Sequence, residues 1–300
     1  MSNFDIFVDS AANLPDDIIA ATGIKVIPFI STVNGEELIC YKNGKSFSQT
    51  AKEFYEKMAE GAEAKTSLIS EERFIDEVTP SLEEGKDAII ITLASTLSGT
   101  FNQAHNAQLE LEKRFPDRKI YAFDSQNASL GEGLLTVEIS KMRGEGKTIT
   151  ECAQWFADNV YRMNSYVTVN DMKYLKRSGR VSTVIAIAGA ILNIKPMLRA
   201  DGVTPASLSV YAKERGRRKS IDALLKGFTD NVIDPASQTV AIAHCNCVDE
   251  ANDLAEKVKA LGAKDVIIEY YDLCTGSHVG PGTLALFFMG KDRRETEKKK

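Results

Sequence analysis

The feature that most constrains this chain is an alternation. Through the first half, apolar stretches of strand length trade places with segments whose apolar residues recur at helical spacing. The strand-like stretches are Phe4–Val8, Ile24–Ile30, Asp87–Leu93 and Lys119–Phe123. Between and after them, helical patterns run over Leu14–Thr22, Phe47–Gly61, Ser70–Leu82, Thr100–Phe115, Leu134–Gly144 and Thr148–Met163. Parallel strands need long crossovers, and helical crossovers cover the faces of the sheet they connect. The alternation therefore predicts a largely parallel sheet with helices on both faces. Local signals agree: Pro15 falls in a first helical turn, where its missing N–H costs nothing, and Gly23 closes that helix. Ser70, followed by Glu71 and Glu72, reads as a helix cap. Asp124–Gly133, with Gly131 and Gly133, reads as a loop.

A second unit starts near Ser165. Strands are expected at Ser165–Val169, Met197–Ala200, Leu208–Ala212, Thr239–His244, Val266–Leu273 and Thr283–Met289. Helices are expected at Asp171–Arg177, Val181–Leu192, Arg217–Phe228 and Val248–Leu261, with Ala200-Asp201-Gly202 as a turn. The fold class is thus α/β in two domains, with a mixed sheet in the C-terminal one. Residues 1–164 form the N-terminal domain, 165–290 the C-terminal domain, and 291–300 a solvated charged tail.

Composition narrows the function. The chain has 300 residues, enough to bury a sizeable core, and 43% of them are hydrophobic. The longest apolar runs are far short of the roughly 20 residues that span a bilayer. Met1–Asp5 is polar and leads into no signal-like segment, and five scattered cysteines suit reduced thiols, so a cytoplasmic location is expected. Thirty-seven basic against 42 acidic residues leave a net charge of −5, the wrong sign for a nucleic-acid binder. Neither a phosphate-binding loop motif nor a dinucleotide fingerprint is present. His244 with Cys245 and Cys247 lacks a second cluster at ligand spacing, so no metal is expected.

What remains is a set of hydroxyl-rich loops. Ala94-Ser95-Thr96-Leu97-Ser98-Gly99-Thr100 runs from a strand straight into a helix. Ser98, Gly99 and Thr100 there supply hydroxyls, free backbone N–H groups and a bare close approach, which together suit an anion. Thr66 and Ser67 also precede a helix, while Asp9-Ser10 and Asp124-Ser125 follow strands. Serines and threonines also simply cap helices, and several such loops at strand ends are what favour a site. His278 sits in a Gly-rich stretch, Cys274–Gly282, read as a loop; it is either a ligand contact or a satisfied structural histidine. Ser98 and His278 could serve a lipid hydrolase, but the Gly-x-Ser-x-Gly elbow is missing around Ser98. Arg180 falls where one helix stops and the next starts, at the domain junction or in a surface turn.

Taken in order, these segments resemble the DegV family of fatty-acid-binding proteins. The landmarks are Asp9-Ser10 with Leu14-Pro15, Thr66-Ser67, Ser95 through Thr100, and Asp124-Ser125 with Gly131. They continue with Leu175-Lys176-Arg177-Ser178-Gly179-Arg180, Lys195-Pro196 and His278-Val279-Gly280-Pro281-Gly282-Thr283. The chain departs from the family pattern at Ala94, where Ser is more usual, and at Ser178, where Gly is. The resemblance implies a long-chain fatty acid bound between the two domains as a ligand, with no cofactor and no catalysis by the chain itself. Its carboxylate would meet Thr66, Ser98 and His278, with Arg180 near the head group or the phosphoryl transfer. A separate ATP-dependent fatty acid kinase would then phosphorylate that carboxylate and feed phospholipid synthesis. The chain itself is expected to be a monomer with at most transient membrane contact.

Two physical arguments accompany that reading. Burying about 14 methylenes at about 0.8 kcal/mol each gives on the order of 11 kcal/mol before ordering costs. Lys213–Lys219 concentrates five basic residues at a strand-to-helix connection in an acidic protein. Arg215, Arg217 and Arg218 are accordingly expected to contact an acidic partner or a phosphoryl group.

Overall fold

The computed structural model describes residues 3–41, 44–180, 193–200 and 208–296. Its first part runs β1 (Phe4–Asp9), α1 (Asp16–Thr22), β2 (Lys25–Ile27), β3 (Ile30–Val33), β4 (Glu36–Leu38), α2 (Phe47–Ala59) and β5 (Ala64–Ser67). It continues with α3 (Glu71–Glu83), β6 (Asp87–Thr92), α4 (Thr100–Arg114), β7 (Ile120–Asp124), α5 (Leu130–Gly144) and α6 (Ile149–Asn159). Next come β8 (Met163–Thr168), α7 (Met172–Ser178), β9 (Ile194–Ala200), β10 (Leu208–Arg215), α8 (Arg217–Asn231) and β11 (Thr239–His244). The chain closes with α9 (Val248–Ala260), β12 (Asp265–Tyr270), α10 (Leu273–Val279), β13 (Leu284–Met289) and α11 (Arg293–Thr296).

The first sheet has the order β2-β1-β6-β7, and every pairing in it is parallel. Both its faces are buried, as the near-continuous apolar strands require. Phe7, Ala88 and Ile90 pack toward α3 and α4, while Ile6, Val8, Ile89 and Ile91 pack toward α5. The C-terminal sheet, ordered β10-β9-β8-β13-β11-β12, is mixed: β11–β12 is parallel and its other pairings antiparallel. Leu224, Phe228, Leu254 and Val258 of α8 and α9 cover one face of it. The other face, with Val167, Leu198 and Phe287, turns toward α5.

Helix α5 is therefore shared by both sheets and is buried nearly all round. Such a helix needs bare spots where backbones approach. A Cβ on Gly133 would lie 2.5 Å from the Ala12 carbonyl oxygen, and one on Gly131 2.7 Å from Asn127 Oδ1. This explains why α5 begins four residues before the expected Leu134: the two glycines are contact points within a helix, not loop residues.

Other expectations need correction. Ile24–Ile30 is two strands in two sheets, because Pro28 has no N–H to give and Phe29 N donates instead to Ser10 Oγ at 3.0 Å. β3 joins β4 and β5 in a small antiparallel sheet that polar sequence concealed. Pro15 is the cap residue of α1 and not inside its first turn. The Cys274–Gly282 loop is largely helix α10, capped by Asp272. Arg293 in the expected solvated tail is 3% exposed and donates to the Tyr161 and Gln126 carbonyls. The Val181–Leu192 helix and most of the Ala200–Gly202 turn lie outside the described residues. No helix among the described residues is long and apolar enough to cross a membrane.

Candidate functional site

The site begins with a turn that does not itself line it. After β1, Asp9 accepts from Ala11 N and Leu93 N, both at 2.8 Å, one with each carboxylate oxygen. Ser10 Oγ accepts from Phe29 N and donates to Asp272 Oδ2 at 3.3 Å. Asn13 accepts from Asp272 N at 3.0 Å and donates to Ser129 Oγ at 2.7 Å. Four segments distant in sequence are thus pinned to one turn: those carrying Phe29, Leu93, Ser129 and Asp272.

These segments surround a cavity of about 390 Å³ between the first sheet's loops, α7, α10 and the C-terminal sheet. Its walls are mainly apolar, with Leu93, Leu175, Val167, Leu208 and Phe287 among them. Ser67, Leu68, Gly99 and Arg180 are exposed and mark its mouth, whereas Ser165, Val167 and Phe287 are buried and mark its depth. Such a volume suits a small apolar molecule. Three of the polar lining groups, Thr66, Ser98 and His278, stand near the mouth. Thr66 Oγ1 and His278 Nε2 are 3.3 Å apart, joining β5 to α10. Ser98 Oγ lies 2.9 Å from Thr100 Oγ1 and accepts from Thr100 N. Burial and the nearby Arg180 and Arg177 push His278 down to about 4, so its imidazole is neutral at neutral pH.

Of the seven residues expected at the head group, six line this one cavity: Thr66, Ser67, Ser98, Gly99, Arg180 and His278. Thr100 does not; it is fully buried and supports Ser98 from behind. Ser67 Oγ is turned to the Ile30 carbonyl at 3.4 Å. Ser178, where the family pattern has Gly, donates to the Leu175 carbonyl and accepts from Arg180 N, so its hydroxyl shapes the turn carrying Arg180. The basic stretch divides. Arg215 and Arg218 are exposed, but Arg217 forms a bidentate ion pair with Glu250 on α9, its Nη2 at 2.5 Å from Oε2. That carboxylate neutralises the charge left unfavourable at the start of α8, so Arg217 is committed within the protein.

Sequence reasoning missed Asn13, Thr275 and Asp272 as parts of the site. Asp272 caps α10 through Thr275 N at 2.7 Å, and Thr275 lines the cavity. Together with Asp9 and Glu132 it makes a trio of buried carboxyls. Desolvation raises all three, Asp9 to about 7, Asp272 to about 6 and Glu132 well above the carboxylate range. Among the described residues, no group of His, Cys, Asp and Glu could hold a metal ion.

An α/β fold with a mainly apolar cavity between its two larger sheets and hydroxyls at its mouth has the form of a small-ligand binding protein. Comparison with known proteins narrows it. The profile described as "Uncharacterised protein, DegV family" matches residues 3–291, and the chain belongs to the DegV family. It is 36% identical over 291 residues to a DegV domain-containing protein of Clostridium perfringens, covering 97% of this chain and 98% of that one. Its fold matches a DegV lipid binding protein from Thermotoga maritima with a TM-score of 0.81 and 25% identity, covering 98% of this chain and 100% of that one. A second Thermotoga maritima protein, described as revealing fatty acid binding function, matches with a TM-score of 0.80 and 25% identity, over 96% of this chain and 99% of that one.

Proposed function

We propose that this protein binds one long-chain fatty acid in the cavity, with the carboxylate at the mouth and the acyl chain toward Phe287. The observation that carries this reading is a mainly apolar cavity whose Thr66, Ser98 and neutral His278 stand near its mouth. Neutral donors hold a carboxylate without locking it in an ion pair, so it stays available to react. A separate ATP-dependent kinase would phosphorylate it there, with Arg180 beside the reacting group and the exposed Arg215 and Arg218 meeting the partner. The product would feed phospholipid synthesis. A hydrolase reading has less behind it, since Ser98 Oγ is paired with Thr100 and His278 Nε2 with Thr66. Mass spectrometry of lipid extracted from gently purified protein tests the carrier reading. About one C14–C18 fatty acid per chain is expected; no acyl chain, and no uptake when one is added, would reject it.

A further inference from the structure

Thr275 stands three residues before His278 on α10, so the two side chains share a helix face, and both line the cavity. Thr275 Oγ1 donates to Asp272 Oδ1 at 2.6 Å. A hydroxyl has one proton, and with that proton aimed at Asp272 it offers the cavity only lone pairs, which repel a carboxylate. Protonation of Asp272 on Oδ1 reverses the pair: the acid O–H donates to Thr275 Oγ1, the other lone pair of Oδ1 keeps the bond from Thr275 N, and the threonine proton is free to turn toward the cavity. We propose that Thr275 is a head-group donor switched by protonation of Asp272, so that the site takes up a proton as it takes an anionic head group.

The surroundings favour this exchange. Asp272 is 1% exposed, with Ser10 Oγ on its other oxygen, and no Lys or Arg is among the groups that shift it most. Asp9 faces it from the end of β1 and Glu132 from α5. Cys40, Tyr41, Tyr55, Cys245 and Cys274 face it as neutral groups, each held above its ordinary value by burial. On α10 itself the remaining titratable group is His278, flanked by Arg180 and Arg177, and it titrates well below neutral pH. Burial places Asp272 at about 6, and a ligand carboxylate beside it pushes it further up. Affinity for an anionic ligand therefore falls as pH rises through that window.

This inference rests on the carrier reading, and the test separates the two. Tetradecanoate affinity is measured by calorimetry between pH 5.5 and 8, in two buffers of different ionisation enthalpy, for four proteins. The ligand's own titration is common to all four and cancels in the comparison. The unmodified protein should bind more tightly at low pH and take up protons. Asp272→Asn keeps a carbonyl oxygen for the Thr275 N–H but has no titrating proton, so it should bind with little pH dependence. Thr275→Val should bind roughly ten- to hundredfold more weakly at pH 6 and lose the slope. Thr275→Ser should restore both. Circular dichroism and thermal melts confirm folding, and if Asp272→Asn fails to fold the threonine pair decides alone. A slope that survives in Thr275→Val, or unchanged affinity at pH 6, overturns the switch while leaving the carrier intact. No binding to the unmodified protein at any pH overturns the carrier reading, and the switch with it.

Discussion

Thr66, Ser98 and His278 reach the cavity mouth from β5, from the turn before α4 and from α10, and each can be tested singly. Thr66→Val and Ser98→Ala should each weaken fatty acid binding by about 1–3 kcal/mol while melting as the unmodified protein does, since neither supports a core. His278 carries a stability signature as well. Its folded pKa of about 4 lies below its ordinary 6.5, so the unfolded chain binds the proton more readily. Stability should fall as pH drops from 6.5 toward 4, and His278→Gln should remove that part of the slope in denaturant titrations. Asp9 and Asp272 act in the opposite sense, because their raised values remove stability as pH rises toward 7 and 6. The hydroxyls were legible in the sequence because they cluster at strand ends. Asp272 and Thr275 were not, although Asp is a strong cap residue, because α10 is short and holds Gly276.

At the level of elements, close approach decides what was readable. Gly276 on α10 lies against Tyr55 of α2, where an added Cβ would stand 1.6 Å from the phenol oxygen. That phenol donates to the Tyr271 carbonyl at 3.0 Å, so both packing and a buried hydrogen bond are at stake. Gly276→Ala should cost about 3 kcal/mol in a chemical melt and displace α10. Periodicity cannot report such contacts, which is why α5 was read too short and α10 as a loop. The ion pair between Arg217 and Glu250 makes a further contrast available. Arg217→Glu should destabilise by about 1–3 kcal/mol, whereas Arg218→Glu should stay within about 0.5 kcal/mol. On the carrier reading, Arg218→Glu should nonetheless slow acyl-phosphate formation by a partner kinase at low salt, as expected of an exposed contact residue.

For the whole molecule, the alternation of strands and helices sufficed to foresee a parallel sheet followed by a mixed one. It could not foresee the small sheet formed by β3, β4 and β5, whose strands are short and largely polar, nor α5 serving both larger sheets. Because the cavity lies between those sheets, filling it should stabilise the entire fold. Stripping the lipid should lower the melting temperature, and fatty acid at a hundredfold excess over Kd should restore about 2.7 kcal/mol. The turn at Asp9–Asn13 gives the cavity a further property. Its walls are tied together by hydrogen bonds among protein groups alone, so the shape of the site is set by the fold. On the carrier reading, loading should then require little ordering of the protein, and exchange should be paced by how fast a flexible chain threads past Leu68 and Arg180. Mutations in the turn would act as changes in rigidity, blurring which acyl chains are accepted without touching any of them.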